Sequence, residues 1–213
     1  WWRLYDDARL DAFVAQALEA NTDLRIAAAN LARARAVLRE ARTGQLPTTT
    51  LSGAASYGRQ SGAAQGQASA LPDGELYDAG LDVGYQVDLF GRVRRAVEAS
   101  QADLEAVQAA YDLTRITVVA ETVRAYADAC NAGRRLTVAR RSVELQEQTV
   151  DLTRRLLEGG RATAMETNQA GALLEQTRAE IPTLETLQQT ALYRLAVLTG
   201  RLPAAFPREL AAC

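Results

Sequence analysis

Histidine is absent from this sequence. Its absence removes the side chain most used for acid–base chemistry near neutral pH and for holding transition metals. Cysteine occurs twice, at Cys130 and Cys213, which does not make a disulfide framework. No run of about 18 apolar residues exists, so no transmembrane helix is expected. No signal peptide is expected within these residues either. The sequence starts at Trp1 without Met, which reads as a piece of something longer. A net charge of -2 gives no global field for nucleic acid, and none is expected as a partner. There is no nucleophile–base pair, no metal-ligand spacing and no phosphate-binding glycine loop. Neither an enzyme nor a bound cofactor is expected.

What is present is strict alternation. Over residues 77–92 the odd positions Tyr77, Ala79, Leu81, Val83, Tyr85, Val87 and Leu89 are apolar or aromatic. The even positions Asp78, Gly80, Asp82, Gly84, Gln86 and Asp88 are polar or glycine. Period two predicts a strand with one apolar and one polar face. Globular strands usually run about 5–6 residues, whereas a transmembrane strand needs roughly 9–11. Tyr77, Leu81, Val83, Tyr85 and Val87 would then face lipid, and Asp78, Asp82 and Gln86 a water-filled lumen. An amphipathic strand of a soluble sandwich is the other reading of this stretch. Residues 48–58 form a weaker strand, with Leu51, Ala55 and Tyr57 alternating against Thr50, Ser52, Ala54 and Ser56. Residues 59–76, with Pro72-Asp73-Gly74, read as a polar outer loop. The middle of the chain, 48–89, is therefore a hairpin.

Elsewhere the period is helical. Residues 1–47 hold an aromatic start and two helices, the first capped by Asp6 or Asp7 and running to about Ala20, the second ending near Arg42. At Asp88, Gly91 and Arg92 the period switches from two to about 3.6. A proline-free helix is expected from about Phe90 to Glu158, roughly 100 Å at 1.5 Å per residue. Leu136, Val143, Val150 and Leu157 recur by sevens, and so do Val138, Leu145 and Leu152. The two rows lie about 200° apart around the helix. Such a helix is wedged between two neighbours in the wall of a cylinder, or is buried in a bundle. Gly159-Gly160 ends it, in a tip turn over 159–162. Thr163 with Glu166 forms a capping box for a return helix reaching about Thr199, with Pro182 inside it. Arg92, Arg94 and Arg95 oppose the helix dipole at the join. They contact lipid phosphates or make a solvated turn.

Several motifs in this order resemble an outer-membrane efflux protein of the TolC-like family, in the lipoprotein branch that serves resistance-nodulation-division pumps. They are Trp1-Trp2 with Ala17-Leu18-x-x-Asn21-x-Asp23-Leu24, then Leu46-Pro47, and Asp88-Leu89-Phe90-Gly91-Arg92. Gly160-x-x-Thr163-x-Met165-Glu166 and Leu195-x-x-Leu198-x-Gly200-x-x-Pro203 follow. The resemblance implies a mainly α fold with a transmembrane β-hairpin. Long antiparallel helices would form part of an α-helical barrel, and the two strands part of a trimeric outer-membrane β-barrel. It further implies a passive export conduit, with partners in a periplasmic adaptor, an inner-membrane pump and outer-membrane lipid. The location implied is the Gram-negative outer membrane, extending into the periplasm. Leu157, Gly160, Arg161, Thr163, Met165 and Glu166 would meet the adaptor. Arg161, the doubled glycine at Gly159 and Glu166 for aspartate depart from the family pattern and bear on adaptor choice. Residues 90–200 would hold the long helix, tip and return helix, and 201–213 a truncated linker to a missing second repeat. Cys213 stands at the wrong end to be the branch's lipid anchor. The alternatives are a trimeric coiled-coil surface or adhesion stalk with a membrane anchor, which needs one seam and no return helix, and a soluble periplasmic adaptor, which needs a lipoyl-like β domain.

Overall fold

A computed structural model describes residues 1–59, 63, 66 and 73–203. The remainder of the 59–76 segment and of the 201–213 segment, Cys213 included, lies outside the described residues. The element order is a 3-10 turn (Trp2–Tyr5), α1 (Ala8–Ala20), α2 (Thr22–Thr43), β1 (Thr48–Arg59), β2 (Asp73–Gly84), α3 (Arg92–Glu158) and α4 (Ala164–Leu198). Among the described residues no helix is long and apolar enough to cross a membrane. The chain divides into two compact units, one of residues 1–29 and 109–213, the other of residues 30–108.

In the first unit α1, α3 and α4 share a core. Leu10, Val14 and Ala17 recur at i, i+4, i+7 on α1 and are buried, Ala17 completely. Val119, Val123, Tyr126 and Ala129 of α3 and Ala191, Leu192, Leu195 and Ala196 of α4 complete the cluster, with Trp2 packed against it. Alanines at these positions let helix backbones approach closely. A second cluster joins Leu136 and Ala139 of α3 to Leu184 of α4, with Ile181 beside it. Antiparallel rungs continue the pairing, Arg140–Glu185 at 2.9 Å and Arg178–Glu147 at 2.6 Å. Glu147, and then Glu175, hold the Arg178 guanidinium above its ordinary pKa. Such exposed pairs are screened by solvent, so they align α3 and α4 more than they stabilise them. Of the two heptad rows, the one through Leu136 is buried or half-buried over Val143, Val150 and Leu157. Val138, Leu145 and Leu152 remain exposed.

Two devices tie the first unit together at its helix ends. Asp7 caps α1, accepting from the Arg9 and Leu10 amides at 2.9 and 3.4 Å and from the Tyr126 hydroxyl at 2.5 Å. The Tyr126 bond, chiefly, pulls the Asp7 carboxyl below its usual range. Burial first, and Asp7 second, push the Tyr126 hydroxyl up. Asn21 sits between α1 and α2 and is 3% exposed. Its side-chain oxygen accepts from the Asp23 and Leu24 amides at 2.9 and 3.1 Å, capping α2. Its amide nitrogen donates to the Leu198 carbonyl of α4 at 3.2 Å. Gly200 then ends α4 at φ +69°, and a Cβ there would lie 2.8 Å from the Ala20 carbonyl oxygen.

The second unit carries the hairpin. β1 and β2 pair antiparallel over 12 residues each, from Thr48 opposite Gly84 to Arg59 opposite Asp73. The sequence expectation placed residues 73–76 in the loop and carried the second strand through Leu89. The ladder corrects both ends. Asp73-Gly74-Glu75-Leu76 is strand, with Arg59 bonded to Asp73 at 2.9 Å at its far end. After Gly84 the next residue, Tyr85, would need Pro47 as its partner, and proline has no N–H to give a ladder.

Candidate functional sites: the hairpin, the strand-to-helix join and the tip

Residues directly opposite in an antiparallel pair share a face. One face of the hairpin therefore carries Leu51 opposite Leu81, Thr49 opposite Val83 and Ala55 opposite Tyr77. The other carries Thr50 opposite Asp82, Ala54 opposite Asp78 and Ser52 opposite Gly80. Over these pairs the first face is apolar and the second polar, and both are exposed; toward the far end of the ladder the first face also carries Glu75, Asp73 and Arg59. Leu51 is 82% exposed and Leu81 67%. A two-stranded sheet is at best marginally stable in water, and here neither face is covered. Of the proposed lipid-facing residues, Tyr77, Leu81 and Val83 are brought together on the apolar face. Tyr85 and Val87 are not: they follow the end of β2, exposed and outside the ladder. Likewise Asp78 and Asp82 share the polar face, whereas Gln86 lies past the strand and accepts a bond from Arg92 at 3.0 Å.

The join between β2 and α3 is built on Asp88 and Gly91. Gly91 takes φ +76°, a conformation that favours glycine, and its carbonyl accepts from the Arg95 amide at 2.9 Å. The Asp88 carboxylate accepts the Arg94 amide at 2.9 Å. That places a negative charge on the first turn of α3, where free N–H groups and the helix dipole favour it. Arg92, Arg94 and Arg95 are thereby tolerated at a helix N-terminus. Arg95 further pairs with Glu98 at 2.5 Å, and Arg92 is engaged by Gln86. Leu89 and Phe90, between the two, are 80% and 98% exposed.

The turn between α3 and α4 is locally determined. The Arg161 amide bonds the Leu156 carbonyl at 2.7 Å and the Gly160 amide the Leu157 carbonyl at 2.9 Å, with Gly160 at φ +68°. This is a Schellman closure, which needs a left-handed residue at the position of Gly160. Thr163 then caps α4. Its hydroxyl accepts the Glu166 amide at 3.3 Å, and the Glu166 carboxylate accepts the Thr163 amide at 2.6 Å. Those bonds from Thr163 hold the Glu166 carboxyl below its usual range. The turn fixes five of the six proposed adaptor-contact residues through its backbone or cap, and leaves Met165 69% exposed. Leu157 is half-buried and Arg161 exposed. The doubled glycine is not doubly required. Gly159 shows no positive φ, and a Cβ there would meet the Arg155 carbonyl oxygen at an ordinary 3.4 Å. Gly160→Ala is expected to cost about 1–2 kcal/mol, the penalty for a side chain in the left-handed region. Gly159→Ala is expected to be neutral or slightly stabilising. Urea unfolding of the two variants separates them.

Sequence reasoning did not find three of the contacts that shape these units. The bond from Tyr126 to Asp7 spans 119 residues and that from Asn21 to Leu198 spans 177. The bond from Arg94 to Asp88 is local, and an acidic residue six positions before a helical amide was its only signal.

The family model for outer membrane efflux proteins matches residues 13–201. Nodulation protein T of Rhizobium leguminosarum bv. trifolii is 28% identical over 213 residues, 99% of this chain and 44% of that protein. Outer membrane protein OprJ of Pseudomonas aeruginosa is 33% identical over 202 residues, 94% of this chain and 42% of that protein. The solved outer-membrane channel OprN superposes with a TM-score of 0.88 at 33% identity, covering all of this chain and 47% of its own. The chain thus spans less than half the length of these relatives. With the hairpin, the join and the return helix in the same order, it belongs to the outer membrane efflux protein family.

Proposed function

We propose that this chain is part of an outer-membrane channel subunit, a passive conduit that exports drugs or other small molecules across the periplasm and outer membrane. The observation that carries the reading is the hairpin, whose apolar and polar faces are both exposed. Open sheet edges are not tolerated in hydrocarbon, so two strands must join others in a closed barrel. Three copies supply them if each complete subunit brings a second hairpin. The exposed row Val138, Leu145 and Leu152 suits a helix with a neighbour on its second side. The tip of Gly160, Arg161, Thr163, Met165 and Glu166, with Leu157, is the surface for a periplasmic adaptor that links the tube to an inner-membrane pump. Energy comes from elsewhere in that complex, and no catalytic step or cofactor is assigned to this chain. The stalk alternative requires a single seam and no return helix. It is disfavoured by α4, which packs back on α3 through Leu184 and Leu195.

The test is reconstitution. The complete gene product carrying this chain, purified in detergent and added to a planar bilayer, is expected to insert as a trimer and conduct ions. A protein that stays monomeric and leaves liposomes untouched overturns the reading.

A further inference from the structure

The join between β2 and α3 gathers cations beside bare apolar side chains. Leu89 and Phe90 are 80% and 98% exposed, and Tyr85 and Val87 just before them are more than half exposed. Arg92, Arg94 and Arg95 follow, all exposed. Asp88 already accepts the Arg94 amide on the first turn, so the helix end is not left open to an anion. The arginine side chains differ in what they touch. Arg92 donates to Gln86 at 3.0 Å, and Arg95 pairs with Glu98 at 2.5 Å. The Arg94 guanidinium has no ion pair or hydrogen bond among the described residues. Val93 packs toward the end of α2, since a Cβ on Gly44 would lie 3.4 Å from its Cγ1. At about 100° per residue, Arg92 and Arg94 fall on opposite flanks of that contact. Arg92 is tied to Gln86, on the polar side of the alternation, which leaves Arg94 on the apolar side with Leu89. There Arg94 opens onto a cleft of about 410 Å³ on the same flank of α3. The two carboxylates of that cleft, Glu98 and Glu105, are engaged by Arg95 and, at 3.3 Å, by Gln101.

We propose that Arg94, with Leu89 and Phe90 beside it, docks the phosphate of an anionic phospholipid, so that a headgroup as well as apolar burial holds the join at the membrane surface. The inference rests on the channel reading above and adds the headgroup chemistry that the channel selects. A cation flanked by exposed apolar side chains is matched by a lipid, which offers an anion and acyl chains together. A free anion would leave Leu89 and Phe90 in water. Attachment at a membrane surface strengthens when apolar burial and charge act together. Phe90 supplies burial toward any lipid, and Arg94 supplies the preference for a negative one. An arginine near an anionic surface favours binding by about five-fold, and salt screens the gain.

In the experiment the complete gene product, purified as an oligomer in detergent, is titrated with phosphatidylglycerol or with phosphatidylcholine, and bound lipid is counted by native mass spectrometry. Phosphatidylglycerol is expected to bind about five-fold more tightly at low ionic strength, with the gap narrowing as salt rises. Arg94→Ala is expected to lower the affinity for phosphatidylglycerol by about five-fold and to leave that for phosphatidylcholine unchanged. Arg94→Lys, which keeps the charge, is expected to retain most of the preference, and Arg92→Ala, on the polar side, all of it. Phe90→Ala is expected to weaken both lipids alike. Inorganic phosphate is expected not to displace phosphatidylglycerol; displacement would make this a site for free anions and overturn lipid docking. A native oligomer that binds both lipids equally, or an Arg94→Ala oligomer with an unchanged preference, overturns the proposal and leaves the channel reading intact. The native comparison needs no variant, so it decides even if Arg94→Ala does not assemble. A native protein that forms no oligomer and does not conduct overturns both.

Discussion

Replacing Leu81 with arginine is expected to remove the protein from the outer-membrane fraction. Leu81 stands in β2, three residues before its end at Gly84, opposite Leu51 on the apolar face, and both are more than half exposed. If that face meets lipid, an arginine there costs up to about 2–4 kcal/mol per copy, the figure for the bilayer midplane, and less nearer an interface. The hairpin has no core from which to offset that cost, since its residues are exposed on both sides. Thr50→Arg, one residue away on β1, points to the polar face, where water solvates the new charge. It is expected to insert and assemble like the native protein. Membrane fractionation with gel analysis of the detergent-solubilised oligomer reads both variants. Equal recovery of the two would mean that the apolar face is covered by protein and not by lipid, and the assignment of Tyr77, Leu81 and Val83 would fall with it.

The second large effect is at Asn21. Asn21→Ala is expected to destabilise the unit of residues 1–29 and 109–213 by about 3 kcal/mol, combining a lost helix cap of about 1 kcal/mol with buried amide and carbonyl groups left without partners. Its three bonds join the start of α2 to the end of α4, beside a site where Gly200 already leaves no room for a Cβ against Ala20. Asn21→Ser keeps the cap but is too short to reach Leu198, and is expected to show about half the loss. Denaturant titration checks this: the midpoint should fall with the slope unchanged, the mark of lost stability without a change in the surface exposed. A shift below about 0.5 kcal/mol, the range of ordinary surface substitutions, would mean that water takes over the three bonds.

The parts legible in the sequence are those set within a few residues. Thr163 and Glu166 lie three apart, so their reciprocal bonds follow from spacing alone. Gly160 announces a left-handed closure because few other residues accept one. The two apolar rows of α3 follow from counting by sevens. The mainly α fold with a hairpin is borne out by the helices, the paired strands and the likeness to the OprN channel. What local pattern could not give is register. Alternation continues past Gly84 through Tyr85, Gln86 and Val87, and nothing within that stretch says that the ladder has ended. The reason lies 38 residues earlier, in Pro47, and appears only once Thr48 is known to face Gly84. At the other end Asp73-Gly74 reads as a turn by composition, yet pairing with Gly58 and Arg59 draws it into the strand. Asn21 reads as a helix boundary, but its donor bond to Leu198 depends on how α4 returns. Asp88 and Gly91 are both flagged by the change of period. Only the backbone distinguishes them, one as the carboxylate on a helix amide and the other as the left-handed hinge.

The exposed row of Val138, Leu145 and Leu152, like the bare hairpin, carries a consequence of mass action. One side of α3 is satisfied within the chain by α4 and α1, while its other side is left for a separate molecule or a distant segment. Stability drawn from a neighbour varies with the abundance of that neighbour. Where that neighbour is a second copy of the protein, dilution lowers its stability, and the rate at which new copies are supplied becomes part of what keeps each one folded.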